Sequence, residues 1–192
     1  MAEKYYILVA EGITDCSFPE AVLERYLGYK QYQNARELPP LFFEMIGQYP
    51  ASSGKLQRQD SPMFFNKDHV SVAVKQAGGC SNIPAKVSLL VELIDKLEVY
   101  DKFGGFLVFS DTDLSTKHEI ISDFRKKFLE NDIIFEDESI KVYGRQIACG
   151  LYLFPMSGYG AVEKLLLECA EISYGQLYLA ARKFREEIMR KQ

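Results

Sequence analysis

The chain has 192 residues, of which 47% are apolar and 26% charged, and its formal net charge is −4 at neutral pH. This composition predicts a globular protein with one core, and no apolar stretch is long enough to span a bilayer. The negative charge argues against a protein held on nucleic acid by a broad basic surface. The first residues lack the pattern of a signal peptide, so we expect a cytoplasmic protein without a membrane partner.

The cysteines are isolated from one another along the chain: Cys16, Cys80, Cys149 and Cys169. No Cys-x-x-Cys pair is present, and only His69 and His118 could add imidazole ligands, so a structural zinc site is not expected. Counting alone leaves two disulfides open. Isolated cysteines in a cytosolic chain are more often reduced thiols, and we predict that state here.

Short apolar runs alternate with amphipathic segments, which predicts an α/β domain whose central sheet is mostly parallel and flanked by helices. Strands are predicted at Tyr5–Ala10, Leu41–Ile46, His69–Ala73, Gly105–Ser110, Ile140–Tyr143 and Gln146–Phe154. Helices are predicted at Ser17–Leu27, Pro84–Leu97, Ser115–Asn131, Gly160–Ile172 and Gly175–Met189. The whole chain, 1–192, is predicted to be one domain with a core at 5–172, a C-terminal helix within 174–190 and an irregular insertion around 28–68.

Three local patterns leave alternatives open. Ser17 and Glu20 have the spacing of a capping box at a helix start. The Gly78-Gly79 pair is a tight turn or a backbone cradle for a phosphate at a helix N-terminus. The last helix carries apolar residues beside basic ones, and it either packs on the core of its own chain or mediates a homodimer.

Acidic residues follow three of the apolar strands. Glu11 and Asp15 come after the first strand, Asp111 and Asp113 after the central strand, and Glu163 after the glycine-rich turn that ends the last strand. Ligands of open α/β sheets bind at the carboxyl ends of the strands, where these carboxylates can converge. Converging carboxylates repel unless a proton or cation joins them, so the pattern predicts a site for Mg²⁺ or Mn²⁺.

Each acidic position also has an ordinary structural interpretation. Asp111 or Asp113 could cap the helix that follows, and Asp15 could cap the first helix. Glu11 could be a surface acid at a strand end, and Glu163 a surface residue of its helix. The joint occurrence of acids at the strand ends favours the site for Asp111, Asp113 and Glu11. For Asp15 and Glu163 both interpretations remain open.

This order resembles the Toprim domain, which occurs in topoisomerases, bacterial primases, overcoming-lysogenization-defect nucleases and the small ribonuclease that matures 5S ribosomal RNA. The matching motifs are strand-Glu11-Gly12-x-Thr14-Asp15, strand-Asp111-x-Asp113 and Gly160-x-x-Glu163. The segment from Gly160 to Glu168 also resembles a segment of small stand-alone Toprim-like proteins. The resemblance implies a Rossmann-like Toprim core.

The resemblance also implies roles for the acidic residues. The glutamate that matches Glu11 acts as a general acid or base, and the aspartates that match Asp111 and Asp113 bind Mg²⁺. The acids that match Asp15 and Glu163 join the metal cluster in the nuclease branches. A second domain that binds nucleic acid is not evident in this sequence, which leaves the choice of RNA or DNA open.

Three functions follow as hypotheses. The first is an Mg²⁺-dependent Toprim nuclease that cleaves phosphodiester bonds in nucleic acid. The second is a non-catalytic Toprim-like module that binds a nucleotide, nucleic acid or a protein partner. The third is a phosphatase of the haloacid dehalogenase type, in which Asp111 is the nucleophile and Asp113 the acid or base.

Overall fold

A computed structural model describes residues 3–46, 62–136, 138–155 and 160–189. The described residues form one sheet whose strands lie in the order β2-β3-β4-β1-β5-β8-β7-β6. In chain order these strands are β1 Lys4–Ala10, β2 Lys30–Gln31, β3 Met63–Lys67, β4 Val70–Gln76, β5 Phe103–Asp111, β6 Ile134–Phe135, β7 Ser139–Val142 and β8 Arg145–Phe154.

The sheet is mixed rather than mostly parallel. The four central strands β4, β1, β5 and β8 are parallel to one another, whereas the outer strands on both sides pair antiparallel. The predicted parallel sheet is therefore correct only for the centre. The outer strands pair antiparallel because very short turns join them to the central strands. Asp68 and His69 connect β3 to β4, and Tyr143 and Gly144 connect β7 to β8. Connections of two residues can join only antiparallel strands. Tyr143 and Gly144 both have positive φ, as a tight hairpin turn requires.

Helices flank this sheet on both faces, as predicted. The described helices are α1 Ile13–Ala21, α2 Pro40–Ile46, α3 Ile83–Lys96, α4 Lys117–Leu129, α5 Val162–Ser173 and α6 Gly175–Met189. A π-helical turn, Val22–Tyr26, continues α1. The bounds of α3, α4, α5 and α6 agree with the predicted helices to within a few residues.

Alternate residues of the central strands supply two separate cores, because successive side chains of a strand point to opposite faces. On one face Ile7 and Val9 of β1 lie in a cluster with residues of α2, α3 and α4. On the other face Ala10 lies in a smaller cluster with Cys16 of α1 and Val162 of α5. Helix α1 and the start of α5 therefore share the face opposite to α2, α3 and α4.

The predicted strand at 41–46 is wrong, because these residues belong to α2. A short apolar run does not distinguish a strand from a buried helix. Two prolines precede the run and suit a helix start, and the buried residues Leu41, Phe42, Met45 and Ile46 lie on one side of a helix. The insertion at 28–68 is less irregular than predicted, since it also contains β2 and β3; residues 47–61 lie outside the described part.

The first helix begins four residues earlier than predicted, at Ile13. The carboxylate of Asp15 accepts a hydrogen bond from the backbone N–H of Gly12 at 2.7 Å, which caps this helix end. The predicted capping box at Ser17 and Glu20 is therefore wrong, and both residues lie inside α1. Asp15 is 5% exposed.

Two further predictions concern the cysteines and the last helix. All four cysteines are free thiols, two of them fully buried, as predicted. Helix α6 has no buried residue, so the interpretation that it packs on the core of its own chain is wrong for the part of the chain that the structure describes. None of the described helices is both long and apolar enough to cross a membrane.

Candidate functional site

Glu11 and Asp111 meet because β1 and β5 are adjacent parallel strands, so that their carboxyl ends lie side by side. The backbone N–H of Glu11 donates to the carbonyl of Phe109 at 3.1 Å, and this bond extends the pairing past the end of β1. The Ser110 hydroxyl donates to Oε2 of Glu11 at 3.0 Å, and the Asp111 N–H points at the same oxygen from 3.4 Å. The carboxylate of Glu11 is therefore held over the end of β5.

Asp111 connects this strand end to the third acidic segment. Its Oδ1 accepts a hydrogen bond from the backbone N–H of Val162, the first residue of α5, at 2.9 Å. A carboxylate at a helix N-terminus satisfies an otherwise unpaired N–H and interacts favourably with the helix dipole. The bond places Asp111 beside the first turn of α5, to which Glu163 belongs.

The helix that follows Asp111 along the chain has a different cap. At the start of α4 the Thr116 hydroxyl accepts from the N–H of Glu119 at 3.2 Å, and the Glu119 carboxylate accepts from the N–H of Thr116 at 2.7 Å. The alternative that Asp111 or Asp113 caps the next helix is therefore wrong. Asp111 caps α5 instead, and this role does not remove it from the cluster of acids.

Asp113 is held by the loop that leads to α5. Its backbone N–H donates to the carbonyl of Gly160 at 2.6 Å, and the hydroxyl of Thr112 donates to the same carbonyl at 3.1 Å. Thr112 also donates its N–H to the Phe154 carbonyl at the end of β8. Asp113 adopts a positive φ of 47° and its side chain is exposed. The Asp-x-Asp segment is thus fixed by its backbone, while the Asp113 carboxylate faces solvent.

Two carboxyl groups of the site, Asp111 and Asp15, have raised pKa values. The pKa of Asp111 is raised to about 7, first by burial and then by Asp15, with Glu11 and Asp113 adding to the effect and the Val162 N–H opposing it. The pKa of Asp15 is also raised, chiefly by burial, while the Gly12 N–H acts in the opposite direction. The charges of Glu11 and Glu163 raise the Asp15 pKa further.

The structure therefore brings all the predicted acids into one neighbourhood, although it does not gather them around one point. Glu11, Asp15, Asp113 and Glu163 each perturb the ionisation of Asp111 or of Asp15. Within the described ranges, however, no group of three acidic, histidine or cysteine side chains is placed closely enough to hold a metal ion. One oxygen each of Glu11, Asp15 and Asp111 accepts the hydrogen bonds described above.

Gly78 and Gly79 hold the backbone of Glu11 by hydrogen bonds and do not form a phosphate site. The backbone N–H groups of both donate to the carbonyl of Glu11, at 3.0 and 2.9 Å. Gly79 has a φ of 121°, which favours glycine. The turn interpretation is correct, and the phosphate cradle is wrong because both amides are already bonded.

Sequence reasoning missed two residues that support the site, Ser110 and Thr112. Both are buried, with exposures of 1% and 3%, and their hydroxyls donate to Glu11 and to Gly160. The sequence does contain a signal for them, because Ser110 and Thr112 alternate with Asp111 and Asp113 at the end of an apolar strand. Their partners lie far away in sequence and could not be read from it.

Comparisons with known proteins bear on the fold. No protein-family model matches the chain, and no curated protein matches it. The chain is similar to the crystal structure of a hypothetical protein from Pyrococcus horikoshii OT3, with a TM-score of 0.56 and 16% identity over 96% of this chain and 74% of that one. A protein of unknown function from Thermoplasma acidophilum aligns with a TM-score of only 0.32, at 12% identity over 98% of this chain and 87% of that one. The first similarity supports a shared fold and gives no information on activity.

Proposed function

We propose that the chain has a Rossmann-like Toprim core and is a Mg²⁺- or Mn²⁺-dependent protein that cleaves phosphodiester bonds in nucleic acid. One observation carries this proposal. Asp111, at the carboxyl end of a central parallel strand, has a pKa raised to about 7 by its burial and by the neighbouring carboxylates. Such a cluster is relieved by a proton or by a divalent cation, and a strand-end cation site suits phosphate chemistry.

The chemistry of the donors fits a hard cation. Every candidate ligand is a carboxylate: Asp111 and Asp113, with Glu11, Asp15 and Glu163 around them. Mg²⁺ keeps several waters and is often held by only one or two carboxylates together with substrate phosphates, so a preformed set of three ligands is not required. When bound, the ion would lower the pKa of an attacking water and neutralise charge on the phosphate.

The residues of the chain supply proton transfer and positioning. Ser110 and the Asp111 N–H both contact Oε2 of Glu11, so we assign Oε1 to the proton transfer. The Gly78 and Gly79 amides fix the Glu11 backbone, and the Val162 N–H fixes Oδ1 of Asp111. These bonds hold the two carboxylates in place before substrate arrives, which reduces the reorganisation that the reaction requires.

The first experiment combines calorimetry and cleavage. Mg²⁺ or Mn²⁺ is titrated into the wild type, Asp111→Asn and the control Asp101→Asn, which changes an exposed acid near the opposite end of β5. The same proteins are then incubated with labelled single- and double-stranded RNA and DNA. Asn at 111 can still accept the Val162 hydrogen bond, so we expect a folded variant that loses binding and cleavage, while Asp101→Asn retains both.

Cleavage that persists in Asp111→Asn, at the wild-type level and with the protein free of contaminating nuclease, would contradict the proposal. A fluoroberyllate adduct on Asp111, the analogue of an aspartyl phosphate, would instead favour the phosphatase hypothesis.

A second candidate function is a non-catalytic Toprim-like module that binds a nucleotide, nucleic acid or a protein. The observation in its favour is that no three potential ligands gather closely in the described ranges, and that one oxygen of Asp111 is engaged by Val162. This function predicts that the wild type binds a nucleotide or nucleic acid with equal affinity with and without Mg²⁺ and cleaves neither.

A further inference from the structure

Lys164 is a cation beside the acidic cluster to which the proposed reaction gives no role. It lies in the first turn of α5, directly after Glu163, and its side chain is exposed. A β-carbon added at Gly160 would lie 3.3 Å from Cδ of Lys164 and 3.7 Å from its Cβ. The aliphatic stem of Lys164 is therefore folded back over the loop that precedes the helix.

This conformation directs Lys164 toward the strand ends that carry the acids. Long side chains of a helix lean toward its N-terminus. The N-terminus of α5 faces Asp111, whose Oδ1 accepts from the Val162 N–H at 2.9 Å. Gly160, against which the lysine stem lies, accepts at 2.6 Å from the N–H of Asp113. Lys164 and Asp113 are thus both neighbours of Gly160, and the ammonium group can reach a ligand bound at the strand ends.

The ammonium group of Lys164 is free to bind such a ligand. Among the described residues it forms neither a hydrogen bond nor an ion pair. Glu168 follows Lys164 at the spacing of a helical ion pair, but the stem turns toward Gly160 instead. In the described part of the chain, the groups that shift the pKa of Asp111 and of Asp15 include no cation. The acids of the site therefore do not neutralise this lysine.

The helix itself gives no reason for a lysine at this position, because a positive charge in the first turn opposes the helix dipole. Another lysine, Lys127, lies within electrostatic range of Cys80, which in turn lies within range of Glu11. Its Nζ, however, is paired with Oδ2 of Asp123 at 2.6 Å. Of these two lysines, Lys164 is the one whose charge is available to a substrate.

The proposed substrate requires a positive charge at this place. A phosphodiester is an anion, and the carboxylates of the site repel it. A bound divalent cation neutralises the phosphate oxygen that it contacts. A further phosphate oxygen that points away from the metal ion needs another cation, and a lysine ammonium is a compact charge with three N–H donors.

From these observations we infer that Lys164 binds a non-bridging phosphate oxygen of the nucleic acid at the acidic site and positions that phosphate for cleavage. The inference rests on the proposed function, because it requires the acidic site to take a phosphodiester. Lys164 contacts the substrate in this arrangement, whereas the carboxylates bind the metal ion and transfer the proton.

The test measures nucleic-acid affinity for the wild type, Lys164→Met, Lys164→Arg and the control Lys102→Met. Lys102 is an exposed lysine that directly precedes β5, at the end of the sheet opposite to the acids. The probe is a short fluorescent single-stranded oligonucleotide, prepared as RNA and as DNA. Binding is measured with Ca²⁺ in place of Mg²⁺ to slow cleavage, at salt concentrations between about 50 and 200 mM.

Lys164→Met should bind the oligonucleotide at least about tenfold more weakly than the wild type, because a charged hydrogen bond is lost. The slope of log affinity against log salt should become shallower by about 0.7, the value for one phosphate contact on a single strand. Lys164→Arg should restore most of the affinity and the slope, and Lys102→Met should change neither. Calorimetry should show equal Mg²⁺ binding in all of these proteins. A lysine that only supports the fold would not change the salt slope.

The outcomes separate this inference from the proposed function. An unchanged affinity and salt slope in Lys164→Met, with a wild type that cleaves, overturns the inference and leaves the proposed function intact. Weaker Mg²⁺ binding in Lys164→Met also overturns it, because a phosphate contact leaves the metal site unchanged. A wild type that binds the oligonucleotide without metal-dependent cleavage contradicts the proposed function, and the same comparison of variants still decides the role of Lys164. A wild type that binds no oligonucleotide overturns both.

Discussion

The Oδ1 atom of Asp111 accepts a hydrogen bond from the backbone N–H of Val162, 51 residues later, at 2.9 Å. This bond favours the ionised carboxylate, as does the N-terminal end of α5. Burial and the charges of Asp15, Glu11 and Asp113 act in the opposite direction and prevail, since the pKa of Asp111 is raised to about 7. One side chain thus holds a strand end and a helix start together while its charge is disfavoured.

The raised pKa of Asp111 predicts a specific pH dependence of stability. In the unfolded chain this carboxyl releases its proton near pH 3.8, and in the folded protein near pH 7, so folding favours the protonated form. The contribution of Asp111 to the free energy of unfolding should therefore be highest below about pH 4, fall as the pH rises to about 7, and stay level above it. After allowance for solvent screening, this contribution amounts to about 1–2 kcal/mol.

The matched variant for this prediction is Asp111→Asn, which keeps the shape of the side chain and removes the titration. Urea unfolding of both proteins between pH 4 and pH 8, in buffer with a chelator, isolates the contribution of Asp111. The stability of the wild type relative to the variant should decline as the pH rises. A difference that is constant over this range, or that grows in favour of the wild type, would contradict the assigned pKa.

A divalent cation should reverse this loss of stability. A cation bound to the folded state stabilises it by RT ln(1 + [L]/Kd), and it competes with the proton for the Asp111 carboxylate. Millimolar Mg²⁺ should therefore raise the melting temperature of the wild type more at pH 8 than at pH 5. Thermal unfolding with Mg²⁺ and with the same ionic strength of NaCl checks this. Equal shifts in Asp111→Asn and in the wild type would show that the ion acts elsewhere.

Substitutions of Glu11 and of Asp113 should have different effects on cleavage and on cation binding. Glu11→Gln removes the proposed proton-transfer group but preserves an oxygen that can accept from Ser110, so we expect cleavage to fall by about 100-fold or more while cation binding persists. Asp113→Asn removes an exposed ligand and should weaken cation binding, with cleavage recovering in part at high Mn²⁺. The readouts are calorimetry and single-turnover cleavage as a function of metal concentration. If both variants lose cation binding equally, Glu11 is a ligand rather than the proton-transfer group.

Local sequence patterns were sufficient for the strands that carry the acids and for the longer helices. Tyr5–Ala10 is an apolar run followed directly by Glu11. The apolar residues Val87, Leu90, Val91 and Ile94 of α3 recur at helical spacing, so both elements could be recognised without distant partners. The short run at 41–46 could not, because its five apolar residues, interrupted only by Glu44, fit a buried strand and a buried helix equally well.

Apart from the local bond between Gly12 and Asp15, the contacts that shape the site could not be predicted because they join residues far apart in the chain. The N–H groups of Gly78 and Gly79 bond the carbonyl of Glu11, and the hydroxyl of Thr112 bonds the carbonyl of Gly160. Nothing in the neighbourhood of these residues in the sequence indicates the partner. The sequence therefore predicted which carboxylates meet, but not which backbone groups hold them, and so not which oxygens remain for a ligand.

Gly160 offers a test of whether that backbone support matters for the site. Its φ of 140° is a conformation that residues with a β-carbon rarely adopt, and a Cβ there would also lie 3.3 Å from Lys164 Cδ. Gly160→Ala should cost about 1–3 kcal/mol of folding free energy and displace the carbonyl that Thr112 and Asp113 share. Cation affinity should then fall although every carboxylate is still present.

Gly144→Ala is the control: its φ is also positive, at 72°, but the residue lies in the exposed β7–β8 turn with no atom within 4 Å of an added Cβ. Chemical unfolding should show a loss of stability in both variants, while calorimetry should show weaker Mg²⁺ binding in Gly160→Ala alone. Equal cation affinities in the two variants would mean that the backbone hydrogen bond between Asp113 and Gly160 does not position the site.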